Sequence, residues 1–150
     1  MKATLLISTA AAILVAAVLA SSSAAGRSST LPGFRSPTGN IHCFYNPSGL
    51  SSGGHGPTLT CGLNHADYGM ALQRRCDAGD WHGFTLAGSR KPVLFCPGGA
   101  SGDHIAYRTL AYGKSWRRGP FTCTSRRIGV TCRSAKGHGL FVSRQSYRLW

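Results

Sequence analysis

The six cysteines of this 150-residue chain constrain its fold more than any other feature of the sequence. They are Cys43, Cys61, Cys76, Cys96, Cys123 and Cys132. An even number of cysteines behind an export signal predicts a framework of three disulfides. Metal binding is the competing interpretation, but the chain has no C-x-x-C pair and its cysteine spacings match no zinc pattern. We therefore expect disulfides, no metal site and no cofactor.

The first 25 residues have the pattern of a secretory signal peptide. Lys2 supplies one positive charge, residues 4–20 carry no charge, and residues 21–25 are small. Ala20 and Ala25 are both suitable cleavage points, and we favour Ala25. The alternative is an uncleaved anchor helix, because the uncharged run approaches the roughly 20 residues that span a bilayer. No later segment is apolar enough to span, so we expect a secreted, extracellular protein with no transmembrane segment after signal cleavage.

The remaining chain predicts one domain. Residues 26–39 are rich in Gly, Ser and Pro and predict a flexible leader, and residues 40–150 predict a single disulfide-bonded β domain. The predicted strands are Asn40–Tyr45, Thr58–Gly62, Trp81–Ala87, Pro92–Cys96, Ile105–Tyr112, Phe121–Ser125, Gly129–Arg133, Leu140–Arg144 and Tyr147–Leu149. Short strands separated by Gly and Pro are typical of an all-β fold, here a small disulfide-stabilised antiparallel β-sandwich or barrel. Residues 66–76 are either one short helix or an irregular loop.

The last two cysteines fit a hairpin in which Cys123 lies opposite Cys132. The other cross-strand pairs are then Ser125 with Val130, Thr124 with Thr131, and Thr122 with Arg133. This register puts Phe121, Cys123, Val130 and Cys132 on one face and Thr122, Thr124, Thr131 and Arg133 on the other. One face is apolar and the other polar, as a half-buried hairpin requires, and residues 126–129 form the loop. Nearness in sequence extends the pairing to Cys43–Cys61 and Cys76–Cys96.

The chain is basic because it lacks acids. It has 17 Lys plus Arg against four Asp and no Glu, a formal net charge of +13. The missing Glu excludes zincin metalloproteases, two-Glu glycosidases and Glu-based deaminases. All four acids lie between Asp67 and Asp103, whereas residues 104–150 contain ten Lys or Arg and no acid. The positive charge is therefore concentrated in the C-terminal half.

Antiparallel strand order predicts that this charge collects at two ends of the domain. One end is predicted to gather Lys114, Trp116, Arg117, Arg118, Lys136 and His138, and the other Arg126, Arg127 and Arg144. Arg pairs with phosphate or carboxylate while Trp stacks on a ring, so the first set is a candidate binding patch for an anionic polymer. In the alternative interpretation Trp116 anchors the core, the arginines are solvated, and His138 occupies a tight turn between two glycines.

We expect a non-catalytic binding domain that contacts an anionic cell-envelope component or an acidic protein, with no specific nucleic acid partner. One alternative is an inhibitor or interaction module for an extracellular enzyme. Another is a small secreted hydrolase or nuclease that uses some of the six histidines, although none of their spacings matches a catalytic motif.

Four segments carry a family resemblance: Phe34–Cys43, Leu110–Trp116, Gly129–Cys132 and Gly137–Arg144. In combination they resemble a family of small exported, cysteine-rich proteins of high-GC Gram-positive (actinobacterial) species, catalogued as a domain of unknown function. The resemblance covers residues 34–150 and implies a secreted, disulfide-bonded β domain. Leu140 stands where many members have an aromatic residue. The resemblance implies no activity, so it transfers no functional residue.

Overall fold

Two β-sheets form the fold, as the prediction of a β-sandwich requires. A computed structural model describes residues 32–49, 56–77, 81–96 and 107–150. The predicted signal peptide lies outside the described residues. Within them the chain forms eleven strands and one short helix. The sheets are separate and face each other across a shared core, which favours the sandwich over the barrel.

The first sheet has six strands. They are β1 Gly33–Arg35, β2 Ile41–Asn46, β3 Thr58–Leu63, β4 Gly83–Ala87, β5 Val93–Phe95 and β6 Arg108–Thr109. Their order across the sheet is β5-β4-β3-β2-β1-β6, and every pair is antiparallel except β1 with β6. In β2 the side chains alternate between buried and half-buried, because Ile41 and Cys43 point to the core.

The second sheet has five strands, all antiparallel. They are β7 Ser115–Arg118, β8 Phe121–Arg126, β9 Gly129–Ser134, β10 Gly139–Val142 and β11 Tyr147–Leu149, in the order β11-β10-β9-β8-β7. The predicted register of β8 and β9 is confirmed in every pair, including Cys123 opposite Cys132. One further pair, Arg126 with Gly129, shortens the predicted loop to Arg127 and Ile128.

All three predicted disulfides are present. Cys43–Cys61 joins β2 to β3, and Cys123–Cys132 joins β8 to β9, each between residues that lie directly opposite in the sheet. Both bridges are fully buried. Cys76–Cys96 instead lies at the surface and ties the segment after the helix to the end of β5. The described residues include no free cysteine.

Aromatic side chains fill the space between the sheets. Phe34 of β1 packs on Trp116 of β7 with ring centroids 5.3 Å apart, and Tyr45 of β2 packs on Phe121 of β8 at 6.2 Å. These contacts bring the two sheets together along one side of the buried disulfides. Large apolar surfaces are thereby removed from water, which is the main favourable term in folding.

Two strands were not predicted. Strand β1 lies inside residues 26–39, so the predicted leader extends too far, and the sheet begins at Gly33. Strand β7 lies between the predicted strands Ile105–Tyr112 and Phe121–Ser125, where no strand was predicted. Each strand has one inward aromatic ring, the buried Phe34 or the half-buried Trp116, and this single inward side chain gives little hydrophobic periodicity to detect.

The segment 66–76 contains one short helix, α1 Gly69–Gln73, which decides between the two alternatives left open for it. Its one buried residue is Leu72.

The predicted strand Ile105–Tyr112 is reduced to β6 within the described part of that range, and Leu110–Tyr112 lies outside any strand. Among the described residues, no helix is long and apolar enough to cross a membrane.

Candidate functional site

The outward surface of the second sheet carries a cluster of arginines. Alternation along β8 and β9 turns Phe121, Cys123, Val130 and Cys132 inward and leaves their neighbours outward. We call this surface the arginine face and define it by Arg117, Arg126, Arg133, Arg148, Phe141 and Trp150. Register places Arg117 beside Thr122 and Thr122 beside Arg133, so the backbones of Arg117 and Arg133 are about 10 Å apart, twice the strand spacing.

A shallow depression of about 640 Å³ lies on the arginine face. Arg126, Arg133 and Arg148 line it together with Phe141 and Trp150. No Asp is among its lining residues in the described part of the chain. The described lining of this depression therefore offers no acidic side chain to neutralise its positive charge.

Two glycines let the aromatic rings of this face lie close against the sheet. A Cβ at Gly139 would come within 2.6 Å of the Trp150 ring, and a Cβ at Gly129 within 2.9 Å of the Phe141 ring. The backbones of Gly139 and Trp150 also exchange two hydrogen bonds, of 2.9 and 3.0 Å. The rings lie over the backbone of these glycines, as aromatic residues do in β-sheets. A larger side chain at either glycine would displace the ring above it.

Trp150 holds two guanidinium groups. The Cζ atom of Arg133 lies 5.3 Å from the centroid of the Trp150 ring, and that of Arg148 lies 5.8 Å from it. Each contact lies within the range of a cation–π interaction. The tryptophan therefore holds both cations at its ring.

The six residues of the predicted binding patch are dispersed. Arg118, Lys136 and His138 do lie at one end, because the turn after β7 contacts the turn between β9 and β10 through Ala135 N–H and Pro120 O, 2.8 Å apart. Lys114 lies at the opposite end, where its carbonyl accepts a hydrogen bond from Ser125 N–H. The prediction of one gathered patch is therefore wrong for Lys114.

Trp116 and Arg117 lie on opposite faces of β7, so they do not form one patch. Trp116 lies opposite the buried Cys123 and packs on Phe34, so its half-buried ring belongs to the packing between the sheets, as in the alternative interpretation. Arg117 points outward and belongs to the arginine face. Successive residues of a strand alternate between faces, which places these two neighbours on opposite sides.

The turn 134–138 explains the glycine before His138. Gly137 has φ +88°, a left-handed value that suits glycine, and Ser134 N–H donates to the carbonyl of His138 at 2.8 Å. This geometry is that of a tight hairpin turn, the structural alternative considered for His138. Gly139 is small for a different reason, the close approach of Trp150.

The sequence interpretation missed the contribution of β10 and β11 to the arginine face. Arg133 was placed on the polar face of its hairpin, and the structure confirms that placement. Extending the same alternation would have added Phe141, which pairs with Thr131, and Arg148, which pairs with Phe141. The alternation of inward and outward residues along β10 and β11 could therefore have identified Phe141 and Arg148 from the sequence.

A second and larger cavity opens at the end of the sandwich that carries the Arg127–Ile128 turn. We call it the end cleft; its volume is about 1000 Å³. Its lining includes Arg126, Arg127 and Arg144, the cations predicted for this end, so that prediction is confirmed. Arg126 lines both the end cleft and the depression on the arginine face.

His65, His82 and Asp67 also line the end cleft. The carboxylate of Asp67 accepts a hydrogen bond from Arg144 Nε at 3.1 Å, and Asp67 N–H donates to the carbonyl of Arg144 at 2.9 Å. The Asp67 side chain is thus engaged in an ion pair. An exposed pair of this kind contributes at most about 1 kcal/mol to stability.

Three sulfur atoms form the one cluster of potential metal ligands among the described residues. The Sγ atoms of Cys43, Cys61 and Cys132 lie within 4.8 Å of one another. All three belong to disulfides, which leaves no thiolate to bind a metal. The cluster is therefore part of the core.

Comparison with known families adds one match. The model of a family described as "Family of unknown function (DUF6636)" matches residues 10–150. This chain belongs to the DUF6636 family. No curated protein and no solved structure matches it.

The DUF6636 match covers both sheets and all three disulfides, so the uncharacterised family expected from the resemblance is confirmed. It indicates no catalytic family. The segments Gly129–Cys132 and Gly137–Arg144, which carried that resemblance, contain Gly129 and Gly139. In this DUF6636 domain both glycines lie beneath the aromatic rings of the arginine face.

Proposed function

We propose that this domain binds an anionic cell-envelope component or an acidic protein through the arginine face and does not act as a catalyst. One observation carries the proposal: Arg126, Arg133 and Arg148 share a depression with two aromatic rings, and its described lining contains no acidic side chain. The surface is the outer side of a β-sheet, which suits an extended ligand better than a small enclosed one.

The chemistry of the arginine face supports an anionic ligand. A guanidinium group presents a planar fork of donors that pairs with carboxylate or phosphate through two hydrogen bonds. Arg133 and Arg148 are held against Trp150, so their forks are already positioned. Phe141 and Trp150 add half-buried apolar surface for sugar or hydrocarbon parts of a ligand.

The charge of the whole chain supports the same ligand class. A net charge of +13 attracts polyanions from a distance and raises their rate of association. Such steering falls as salt screens the charges. Binding to the arginine face should therefore weaken as the salt concentration rises.

We further propose that the domain is exported in an actinobacterial cell and acts outside it. The signal-peptide pattern of residues 1–25 supports export. Three disulfides support an oxidising compartment, since such bonds persist outside the cytosol. The envelope of a Gram-positive cell is rich in anionic polymers, which makes it a suitable location for a basic binding domain.

The test compares two double variants that lose the same charge. Arg133→Gln with Arg148→Gln alters the arginine face, and Arg118→Gln with Lys136→Gln alters the turn end. Binding to polyphosphate and to polyglutamate is measured by titration calorimetry at two salt concentrations. We expect the first variant to lose about tenfold or more in affinity and the second to change by less than about threefold.

Equal losses in the two variants would contradict the proposal, because general charge and not the arginine face would then govern binding. Circular dichroism of both variants checks that the fold is unchanged. A single protein partner whose capture resists salt would instead support the inhibitor or interaction module.

A further inference from the structure

We propose that the end cleft binds an anionic amphiphile, a molecule with an apolar chain and a carboxylate or phosphate head. The cleft is separate from the proposed polymer-binding surface apart from Arg126 and Ile128, which line both. Its volume of about 1000 Å³ is at the upper end of the range found for small-molecule sites.

Apolar side chains at the cleft provide a surface for the chain of such a ligand. Ile41, Leu63 and Trp81 are buried residues that line it. Met70 of α1 and Ile128 of the β8–β9 turn also line it, although they are 79% and 70% exposed. Both therefore keep a large apolar area in water, and an apolar chain lying between them would remove part of that area from solvent.

Charge complementarity selects an anionic head. Asp67 is the one acid among the described lining residues, and its ion pair with Arg144 offsets one cation. Arg126 and Arg127 keep their charge beside the apolar lining. The Cζ atom of Arg127 lies 5.3 Å from the Tyr112 ring centroid, and Tyr112 also lines the cleft, so this guanidinium is held at the wall.

Trp81 adds a donor. Its side chain is only 8% exposed, and its indole N–H has no hydrogen-bond acceptor among the described residues. An unpaired buried donor costs about 1–3 kcal/mol. This atom is shielded in the structure, so a ligand oxygen would remove the cost only if the surrounding side chains moved to admit it.

The first experiment maps binding by NMR on the ¹⁵N-labelled protein with four probes: decanoate and decyl phosphate below their micelle concentrations, decanol and acetate. We expect the two anionic amphiphiles to shift amide signals of residues 65–73 and 126–130. Decanol should bind more weakly, and acetate should cause no shift at the same concentration. A preference for decanoate indicates a fatty-acid type of ligand, and a preference for decyl phosphate a phospholipid type; either outcome supports the proposal.

The second experiment separates head from chain with matched variants. Arg127→Gln should weaken decanoate binding about tenfold and leave decanol binding unchanged, because one charge-assisted contact is lost. Met70→Gln with Ile128→Gln should weaken both probes. Arg148→Gln, on the arginine face and outside the end cleft, is the control and should change neither.

Acetate binding as tightly as decanoate would overturn the proposal, as would amide shifts confined to the arginine face. The same is true of an Arg127→Gln variant that binds decanoate normally. None of these readouts uses polyphosphate or polyglutamate, so the end cleft and the arginine face are tested independently.

Discussion

The Sγ atoms of Cys61 and Cys132 lie 3.8 Å apart although they belong to different disulfides and different sheets. The two cross-strand bridges therefore contact each other at the centre of the sandwich. Each bridge constrains its own hairpin, and their contact places the hairpins β2–β3 and β8–β9 face to face. Buried sulfur at this point is part of the packing between the sheets as well as a covalent link within each of them.

Mild reduction should open Cys76–Cys96 before the other two bridges. Cys96 is exposed and Cys76 half-buried, whereas the four remaining cysteines are fully buried and shielded from reductant. We expect alkylation and mass measurement to find a species with two modified cysteines, mapped to Cys76 and Cys96, while the fold persists. Simultaneous modification of all six cysteines from the first time point would contradict this order.

Loss of that exposed bridge should lower stability without abolishing the fold. Its sequence separation is 20 residues, and the chain-entropy estimate for a loop of this size is about 3 kcal/mol. Cys76→Ser with Cys96→Ser should therefore lower the unfolding free energy by about this amount in urea denaturation. Replacing Cys123 and Cys132 together should cost more, since their bridge also contacts Cys61 in the core. Equal costs for the two pairs would argue against a packing role for the buried sulfur.

Gly139→Ala should destabilise the domain by about 1–3 kcal/mol through crowding. The added methyl group would lie 2.6 Å from the Cys132 carbonyl oxygen and still closer to the Trp150 ring. Gly88→Ala is a matched control, because its methyl group would meet only Pro120 at an ordinary 3.5 Å. Thermal unfolding of both variants provides the comparison, with a change within about 0.5 kcal/mol expected for Gly88→Ala.

Trp116→Ala should destabilise the protein, whereas Arg117→Ala and Arg118→Ala should not. The half-buried Trp116 ring packs on Phe34 between the sheets, and its truncation should cost about 2 kcal/mol, less than that of a fully buried aromatic. The two arginines are exposed, so each should change stability by no more than about 0.5 kcal/mol. Urea denaturation of the three single variants checks this. If the Trp116→Ala protein were as stable as the parent, the result would contradict a packing role for Trp116.

Alkaline pH should unfold the domain in part through Tyr68. Burial, with a smaller contribution from the nearby Tyr147, raises the pKa of Tyr68 above its ordinary value of 10.0. The unfolded chain then releases its phenol proton at a lower pH than the folded chain, so stability is complete below about pH 10 and falls as pH rises above it. Urea denaturation from about pH 8 to about pH 11 measures this slope.

Tyr68→Phe should make the alkaline loss of stability less steep, with the remainder including Tyr107, whose pKa burial also raises. At neutral pH the same variant loses the hydrogen bond that the Tyr68 hydroxyl donates to Ser143 O at 3.0 Å, a cost of about 1 kcal/mol. An alkaline slope that is the same with and without the Tyr68 hydroxyl would contradict the assignment.

The local sequence pattern was sufficient to predict the hairpin of β8 and β9. Two cysteines, a largely alternating pattern of polar and apolar residues and a glycine in the turn all require one register, since a shift by one residue would turn the polar face inward. The strands β1 and β7 carry no such pattern. Their formation depends on partner strands, β2 and β6 for the first and β8 for the second.

The sequence by itself determined the disulfide-bonded β fold, the inward and outward faces of each well-patterned strand, and the absence of acid beyond Asp103. Only the tertiary structure decided which cations lie close to one another. Arg133 and Arg148 meet at Trp150 because β10 lies between β9 and β11, and Arg127 and Met70, far apart in sequence, line the same cleft. Alternation within a strand is a local property, whereas the neighbours of a side chain depend on strand order and sheet packing.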